Sequence, residues 1–321
     1  MKAEILSVLK RDGGYVSGEE LSRRLGVSRT AIWKNINALR DDGYVIASVT
    51  NKGYRLEKCA DLLDADIIAN GLKTSIVGIR LDVMKSVDST NEEIKRRAAL
   101  GEKSGLIVAA ERQTGGKGRL GRTWSSDSGG IYFTVLIRPD LPPSDIASIT
   151  LAAGYGVCLA IREYTGLDAR IKWPNDVIIG NKKVCGILTE MAAQTDRLDY
   201  VAIGIGINVN HEEFPDEIKN KATSLLIELG RKTDRNEFFR CVIRHLDLVL
   251  SSFIVSLSVD EMNDFKKLCA TVGRKVSVQR GGLLIEGKAV DITPGGELVI
   301  LSDSGTEYTI NSGEVTVQGI Y

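Results

Sequence analysis

Apolar positions in the first 58 residues fall in short helical stripes, followed by two β-like runs. Ile5, Leu6 and Leu9 share one helical face. Ser17, with Glu20 three residues on, forms a capping box that opens a short helix to Leu25, and Gly26 ends it. Ser28 caps the next helix, from Arg29 to about Arg40, with Ala31, Ile32, Ile36 and Leu39 inward; Gly43 stops it. Residues 45–49 and 54–56 are β-like runs around the turn Asn51-Lys52-Gly53. Two helices joined by a tight glycine-containing turn, then a hairpin, predict a winged helix-turn-helix.

A linker near 58–63 leads to a different texture. Ser89 with Glu92, and Thr90 with Glu93, predict capping boxes on a helix through residue 100. Strands are expected at 106–111, 131–137, 183–191 and 200–209, a small-residue helix at 144–165, and an amphipathic helix at 235–256. This order predicts a mixed α+β domain without a regular βαβ rhythm. From about residue 272, short strands at 275–279, 284–292, 298–301, 307–311 and 315–318 are split by Gly281-Gly282, Pro294-Gly295-Gly296 and Asp303-Ser304-Gly305. That spacing predicts a small β-barrel. The expected division is 1–62, 63–270 and 271–321.

Charge modifies this picture only locally. Lys+Arg and Asp+Glu balance at 42 each over 321 residues, yet residues 1–58 carry eleven Lys/Arg against seven Asp/Glu. A basic front module hints at nucleic acid. The five cysteines are scattered, odd in number and without a CxxC, which predicts free thiols in a reducing compartment. The start, Met1-Lys-Ala-Glu, lacks a signal-peptide core, and the longest apolar runs, such as 5–9 and 203–209, fall far short of the roughly 18 residues of a membrane span. A cytoplasmic protein with no membrane partner is expected. With only His211 and His245, the chain offers little for a zinc site or a histidine triad.

Chemistry concentrates in four segments. The loop Gly115-Gly-Lys-Gly-Arg-Leu-Gly-Arg-Thr-Trp124 contains GxGxxG (Gly116, Gly118, Gly121), but no amphipathic helix follows, as a dinucleotide fingerprint requires. What remains is a flexible loop with Lys117, Arg119 and Arg122, suited to an anion, or a solvated surface loop. Lys172-Trp-Pro-Asn-Asp176 ends a strand at Pro174 and places three polar groups beside an aromatic; an ordinary turn is the alternative. Gly180-Asn-Lys-Lys183 has hairpin composition, with Lys183 opening the next strand. Gly204-Ile-Gly206-Ile-Asn208 puts two glycines in a strand, marking close approach by another group or a β-bulge.

Taken together, these segments resemble the biotin–protein ligases. Asp88-Ser-Thr-Asn91, the stretch Glu111 to Trp124, Lys172 to Asp176 with Lys183-Val-Cys-Gly-Ile-Leu-Thr-Glu190, and Gly204 to Asn208 occur in that family's order and spacing. With the front module, the chain resembles the bifunctional biotin ligase/biotin operon repressors over nearly its whole length. The loop usually reads Gly-Arg-Gly-Arg in the family, and Lys117 here replaces the first arginine, keeping charge but losing the bidentate fork.

The resemblance implies a winged helix-turn-helix, a central mixed α/β domain of the biotin/lipoate ligase (class II aminoacyl-tRNA synthetase-like) type, and an SH3-like C-terminal β-barrel. It implies ATP and biotin as substrates, Mg²⁺, a biotinyl-5′-AMP intermediate, and transfer of biotin to one lysine of biotin carboxyl carrier domains. Ser89, Thr90, Asn91, Gln113, Gly116, Lys117, Gly118, Arg119, Lys183, Gly186, Gly204 and Gly206 would hold biotin. Arg119, Arg122, Trp124, Lys172, Asn175, Asp176 and Asn208 would serve ATP and the adenylate. Lys183, Lys117 and Arg119 would stabilise charge; Asp176 would orient or deprotonate the acceptor amine and contact Mg²⁺. Ser28, Arg29, Thr30, Trp33, Lys34, Asn37, Lys52 and Arg55 would meet operator DNA, bound by a homodimer that the adenylate favours. A repressor with a decayed ligase site and a lipoate-type ligase are the competing readings.

Overall fold

The computed structural model describes residues 1–193, 197–255, 259–280 and 283–321; Ser256, the expected end of the long helix, and the turn Gly281-Gly282 lie outside them. These residues divide into two units, Met1–Leu72 with Asp234–Glu237, and Lys73–Thr233 with Phe238–Tyr321.

In the first unit, α1 (Lys2–Asp12), α2 (Gly18–Leu25) and α3 (Arg29–Asp41) precede the hairpin β1 (Val45–Val49) and β2 (Gly53–Lys58) and the short α4 (Ala65–Ala69). Both predicted caps form: Ser17 Oγ accepts the Glu20 N–H at 3.0 Å, and Ser28 Oγ accepts that of Ala31 at 3.2 Å. The Glu20 carboxylate does not return the bond, because Arg23 and Arg24 take it. Ile5, Leu6, Leu9, Leu21, Ile32, Ile36 and Leu39 meet in one core, each contributing about 1.5–3 kcal/mol by leaving water. The hairpin pairs Ile46 with Leu56. At its turn Gly53 takes φ 99°, and a Cβ there would lie 2.1 Å from Val16 O, so the wing needs glycine at this position.

The second unit begins with β3 (Arg80–Met84), α5 (Thr90–Ala99), β4 (Leu106–Ala110), β5 (Ile131–Ile137) and α6 (Ile146–Thr165). Then come β6 (Ala169–Lys172), β7 (Asp176–Ile179), β8 (Lys182–Ala193), β9 (Leu198–Ile207) and α7 (Leu225–Leu229). Next are α8 (Arg235–Val255), which belongs to this unit from Phe238 on, and α9 (Val259–Leu268). Among the described residues, β3 to β9 form one sheet in the order β3-β4-β5-β9-β8-β7-β6, parallel only between β3 and β4. Successive residues of β8 point to opposite faces. Glu190 bonds Asn91 of α5 and Thr189 bonds Thr150 of α6, so the two helices cover opposite faces. β10 (Lys275–Arg280), β11 (Leu283–Ile292), β12 (Leu298–Leu301), β13 (Glu307–Ile310) and β14 (Glu314–Val317) make an antiparallel sheet whose last strand returns to the first, in the expected SH3-like order.

One expectation needs correcting. The stretch Pro143–Thr165 reaches a mean hydropathy of 1.5, so the chain does hold a helix long and apolar enough to cross a membrane. Scattered small and polar residues kept it from reading as one apolar run. Ala152, Ala153, Val157, Cys158, Ala160 and Ile161 of α6 are buried within the protein, where such a helix is a core element. The five cysteines are free thiols.

Candidate functional site

The α5-covered face of the large sheet carries a cleft at its middle strands. Ser89, Thr90, Asn91, Gln113, Lys117, Gly118, Arg119, Trp124, Asn175, Lys183, Gly186, Gly204 and Gly206 all line it. It holds about 460 Å³ of space, part of it open to solvent. Its floor is built of strand glycines: Gly186 of β8 stands opposite Gly206 of β9, and Leu188 stands opposite Gly204. The register is unbroken there, so these glycines mark no bulge. They mark close approach. A Cβ on Gly206 would lie 2.5 Å from Trp124 Nε1, one on Gly186 2.7 Å from the Trp124 ring, and one on Gly204 2.0 Å from Asn91 Oδ1. Trp124 therefore lies against backbone, with its Nε1 buried and without a hydrogen-bond acceptor.

The start of α5 supplies one end of the cleft, and here the sequence expectation fails in an informative way. Ser89 occupies the N-cap position but makes no capping bond. Its own N–H goes to Asp88 Oδ1 at 2.8 Å. Glu92 and Glu93, the expected partners, bond Lys95 and Lys117, and Arg96 and Arg97, respectively. The Ser89 hydroxyl is left for the cleft. Thr90 donates its N–H and hydroxyl to Gln113 Oε1 at 2.8 and 3.1 Å, and Gln113 Nε2 reaches Ser126 Oγ at 2.8 Å. Thr134 donates to Asn91 Oδ1 at 2.6 Å, and Asn91 Nδ2 donates to Glu190 at 2.7 Å. These groups are mostly buried, so the network holds donors and acceptors at fixed positions.

Cations close the other end. The loop 115–124 folds back on itself through a bridge between Lys117 and Thr123, with Leu120 exposed at its tip in a left-handed conformation (φ 56°). Lys117 reaches Glu92 at 2.7 Å, and with Lys95 it holds that carboxylate below its usual pKa. Arg119 donates to Asn175 Oδ1 at 3.0 Å and to Gly313 O at 3.2 Å, next to β14. Burial lowers the Arg119 pKa, the mark of a guanidinium taken partly out of water. Lys183 Nζ lies 5.0 Å from the Trp124 ring centroid and 2.5 Å from Asp176 Oδ1.

Five expected contacts stand off the lining. Gly116 is buried against Trp124 O, where a Cβ would come within 2.4 Å, so it shapes the loop from behind. Arg122 points outward and pairs with Glu314. Asn208 turns away, donating to Thr223 O at 3.1 Å. Asp176, paired with Lys183, and Lys172, against Tyr321, are both off the lining. Lys172 Nζ lies 3.5 Å from the Tyr321 ring centroid, and burial pushes its pKa down to about 8. Asp176 accepts from the Tyr321 hydroxyl. Sequence reasoning missed Ile187, Leu188 and Ile205 in the lining, and Tyr321 against Asp176 and Lys172. Ile205 was legible as the residue between two floor glycines, and Ile187 and Leu188 as the two that follow Gly186; Tyr321 had no local signal. His245 joins Glu163 and Cys241 in a cluster whose carboxylate already pairs with Arg244 and with His245 at 2.8 Å.

In the first unit, Arg29, Thr30, Trp33 and Lys34 are exposed on α3, Trp33 by 57%, and Lys52 is exposed at the wing. Ser28 is spent on its cap, Asn37 accepts from Arg40 at 3.3 Å, and Arg55 stacks 4.8 Å from the Tyr15 centroid while pairing with Glu57 at 2.6 Å.

The fold and cleft together define a ligase of the biotin/lipoate type joined to a helix-turn-helix. Residues 83–208 match the Biotin/lipoate A/B protein ligase family, 2–55 an HTH domain, and 271–317 the Biotin protein ligase C terminal domain. The chain is 37% identical over 316 residues to the bifunctional ligase/repressor BirA of Bacillus subtilis, covering 95% of each. It is 32% identical over 317 residues to BirA of Escherichia coli K12, covering 96% of this chain and 97% of that one. Biotin protein ligase from Aquifex aeolicus, solved in complex with biotin and ATP, superposes with a TM-score of 0.65 at 34% identity, over 75% of this chain and 99% of that one. The chain belongs to the bifunctional biotin–protein ligase/repressor family.

Proposed function

We propose that this protein joins biotin to ATP as biotinyl-5′-AMP, passes biotin to a lysine of carrier-protein domains, and represses transcription through its winged helix. The observation that carries the ligase reading is the cleft: buried amide and hydroxyl groups at one end, a glycine floor, and Lys183, Lys117 and Arg119 at the other. A cyclic urea needs fixed donors and acceptors, which Ser89, Thr90, Asn91 and Gln113 offer. The carboxylate attacking an α-phosphate needs cations against mutual repulsion, which the far end offers. A carboxylate oxygen bonds phosphorus and pyrophosphate leaves. The carrier lysine amine, having lost its proton, then bonds the acyl carbon and AMP leaves. The Trp124 Nε1 donor has no protein acceptor, which suits an adenylate lying along the loop.

Magnesium fits this cleft poorly as a protein-held ion. No carboxylate lines it, and Asp176, the expected ligand, is engaged by Lys183 and Tyr321. An ion arriving with the triphosphate would supply charge neutralisation, held by phosphate oxygens and water. The ion pair at 2.5 Å supports Asp176 as a group that orients the Lys183 ammonium.

Residues 1–62 are the proposed DNA-binding module, with Arg29, Thr30, Trp33, Lys34 and Lys52 as its outward contacts. Residues 63–270 are the ligase domain and 271–321 its C-terminal barrel. Dimerisation favoured by the adenylate would make the intermediate a corepressor; the ligand must then bind the dimer more tightly than the monomer. Biotin-dependent ATP–pyrophosphate exchange tests the ligase reading. Exchange is expected with biotin, without competition from lipoate, and Lys183→Ala is expected to lower it by about 10²-fold, the scale of one lost transition-state donor. Exchange driven by lipoate, or a Lys183→Ala rate near wild type, sinks the reading.

A further inference from the structure

We infer that Tyr321 is a positioning residue of the ligase site, holding Asp176 so that the Lys183 ammonium stays in the cleft. The inference rests on the ligase reading above and assigns a role to a residue outside the motif segments. Tyr321 lies beyond β14, yet its hydroxyl donates to Asp176 Oδ2, 145 residues earlier. Its backbone N–H is fixed on Asn181 O at 3.2 Å, at the turn between β7 and β8. Its ring lies under Lys172 Nζ at 3.5 Å from the centroid. One side chain thus touches the partner of Lys183 and covers the neighbouring cation.

The geometry divides the Asp176 carboxylate between two tasks. Oδ1 faces Lys183 Nζ at 2.5 Å, and Oδ2 is taken by Tyr321. With Oδ2 engaged, Asp176 offers Lys183 one oxygen, and the ammonium keeps donors free for an anion in the cleft. Without the hydroxyl, both oxygens turn to Lys183 and draw it toward the sheet, away from its place beside Trp124. The tyrosine hydroxyl stays protonated throughout, because burial and the adjacent Asp176 raise its pKa above the ordinary value. Lys172 carries its own charge near this pair, and the aromatic face stabilises it without consuming a carboxylate oxygen.

The test is Tyr321→Phe, which keeps the ring under Lys172 and removes only the hydroxyl. In biotin-dependent pyrophosphate exchange, kcat is expected to fall about 10-fold, the scale of one hydrogen bond to a charged group. KM for biotin is expected to stay within about twofold, because the ureido end of the cleft is untouched. The decisive arm is a double-mutant cycle: in an Asp176→Ala background, Tyr321→Phe is expected to change nothing further. A purely structural tyrosine would lower thermal stability and act equally in both backgrounds. Wild-type kcat in Tyr321→Phe, or the same fold loss with and without Asp176, overturns the inference while leaving the ligase reading intact. A wild-type protein without biotin-dependent exchange overturns the reading itself, and this inference with it.

Discussion

Replacing Gly204 by alanine tests the construction of the cleft floor without touching a charged group. The new Cβ would stand 2.0 Å from Asn91 Oδ1, 2.8 Å from Cγ and 2.9 Å from Nδ2. Gly204 cannot retreat, because β9 is laddered on both sides, to Thr134 of β5 and Leu188 of β8. Those same two residues hold Asn91: Thr134 donates to its Oδ1 at 2.6 Å, and its Nδ2 donates to Leu188 O at 3.2 Å and to Glu190 at 2.7 Å. The amide therefore lies across the glycine like a strap and must leave if a methyl group arrives. Two neutral bonds and one to a carboxylate are then lost, about 2.5–6 kcal/mol. Glu190 keeps Lys95 at 2.5 Å, so the lower half of that range applies. For a unit of this size, about 3 kcal/mol lowers the melting temperature by about 6–12 °C. Calorimetry of Gly204→Ala, Asn91→Ala and the double variant separates the clash from the lost bonds. The double variant should melt with Asn91→Ala alone, because the side chain in the way is already gone. A Gly204→Ala protein with wild-type melting, or costs that simply add, would refute this account of the floor.

Lys172→Met carries a pH signature. Burial pushes the Lys172 pKa down to about 8, against about 10.4 in an unfolded chain. Between those values the unfolded chain binds the proton that the folded one has released, so stability rises with pH; below the lower value the charge is carried in both states and its burial cost is paid in full. The wild type should therefore gain on Lys172→Met from pH 8 upward in thermal melts, and a flat difference would mean that Lys172 is not desolvated. Arg29→Ala should weaken operator binding in gel-shift titrations and reduce the slope of log K against log salt by about 0.9, as for one lost phosphate contact; an unchanged slope would place Arg29 off the backbone.

The elements that the apolar pattern located have one buried face, as α3 does, or are buried throughout, as β4 and β5 are. Ile32, Ile36 and Leu39 on α3, and Ile131 to Ile137 on β5, are buried in the pattern their spacing implied. Those it missed lack that signal. β3 is an edge strand, exposed or half-buried along its length. α4 and α7 have five residues each, too few for a helical period to register. The Ser89–Glu92 capping box looked sound locally, but Lys95 and Lys117 compete for Glu92 and win, since a charge-assisted bond is about twice as strong as a neutral one.

The site shows the same limit from the other side. Sequence marked Gly204 and Gly206 as places where something comes close to backbone, and left open what it is. Distance along the chain hides the answer: Asn91 lies over Gly204 from 113 residues earlier, and Trp124 over Gly206 from 82 residues earlier. Arg119 likewise reads as a loop cation until Gly313 and Asn175 are seen to hold it. Arg122, of the same loop and the same charge, is spent on Glu314 at the surface, where exposed pairs contribute only about 0–1 kcal/mol. Two arginines three residues apart thus differ in burial through the partners that hold them. Only the half-buried Arg119 has given up part of its water, and charges interact more strongly where water is excluded.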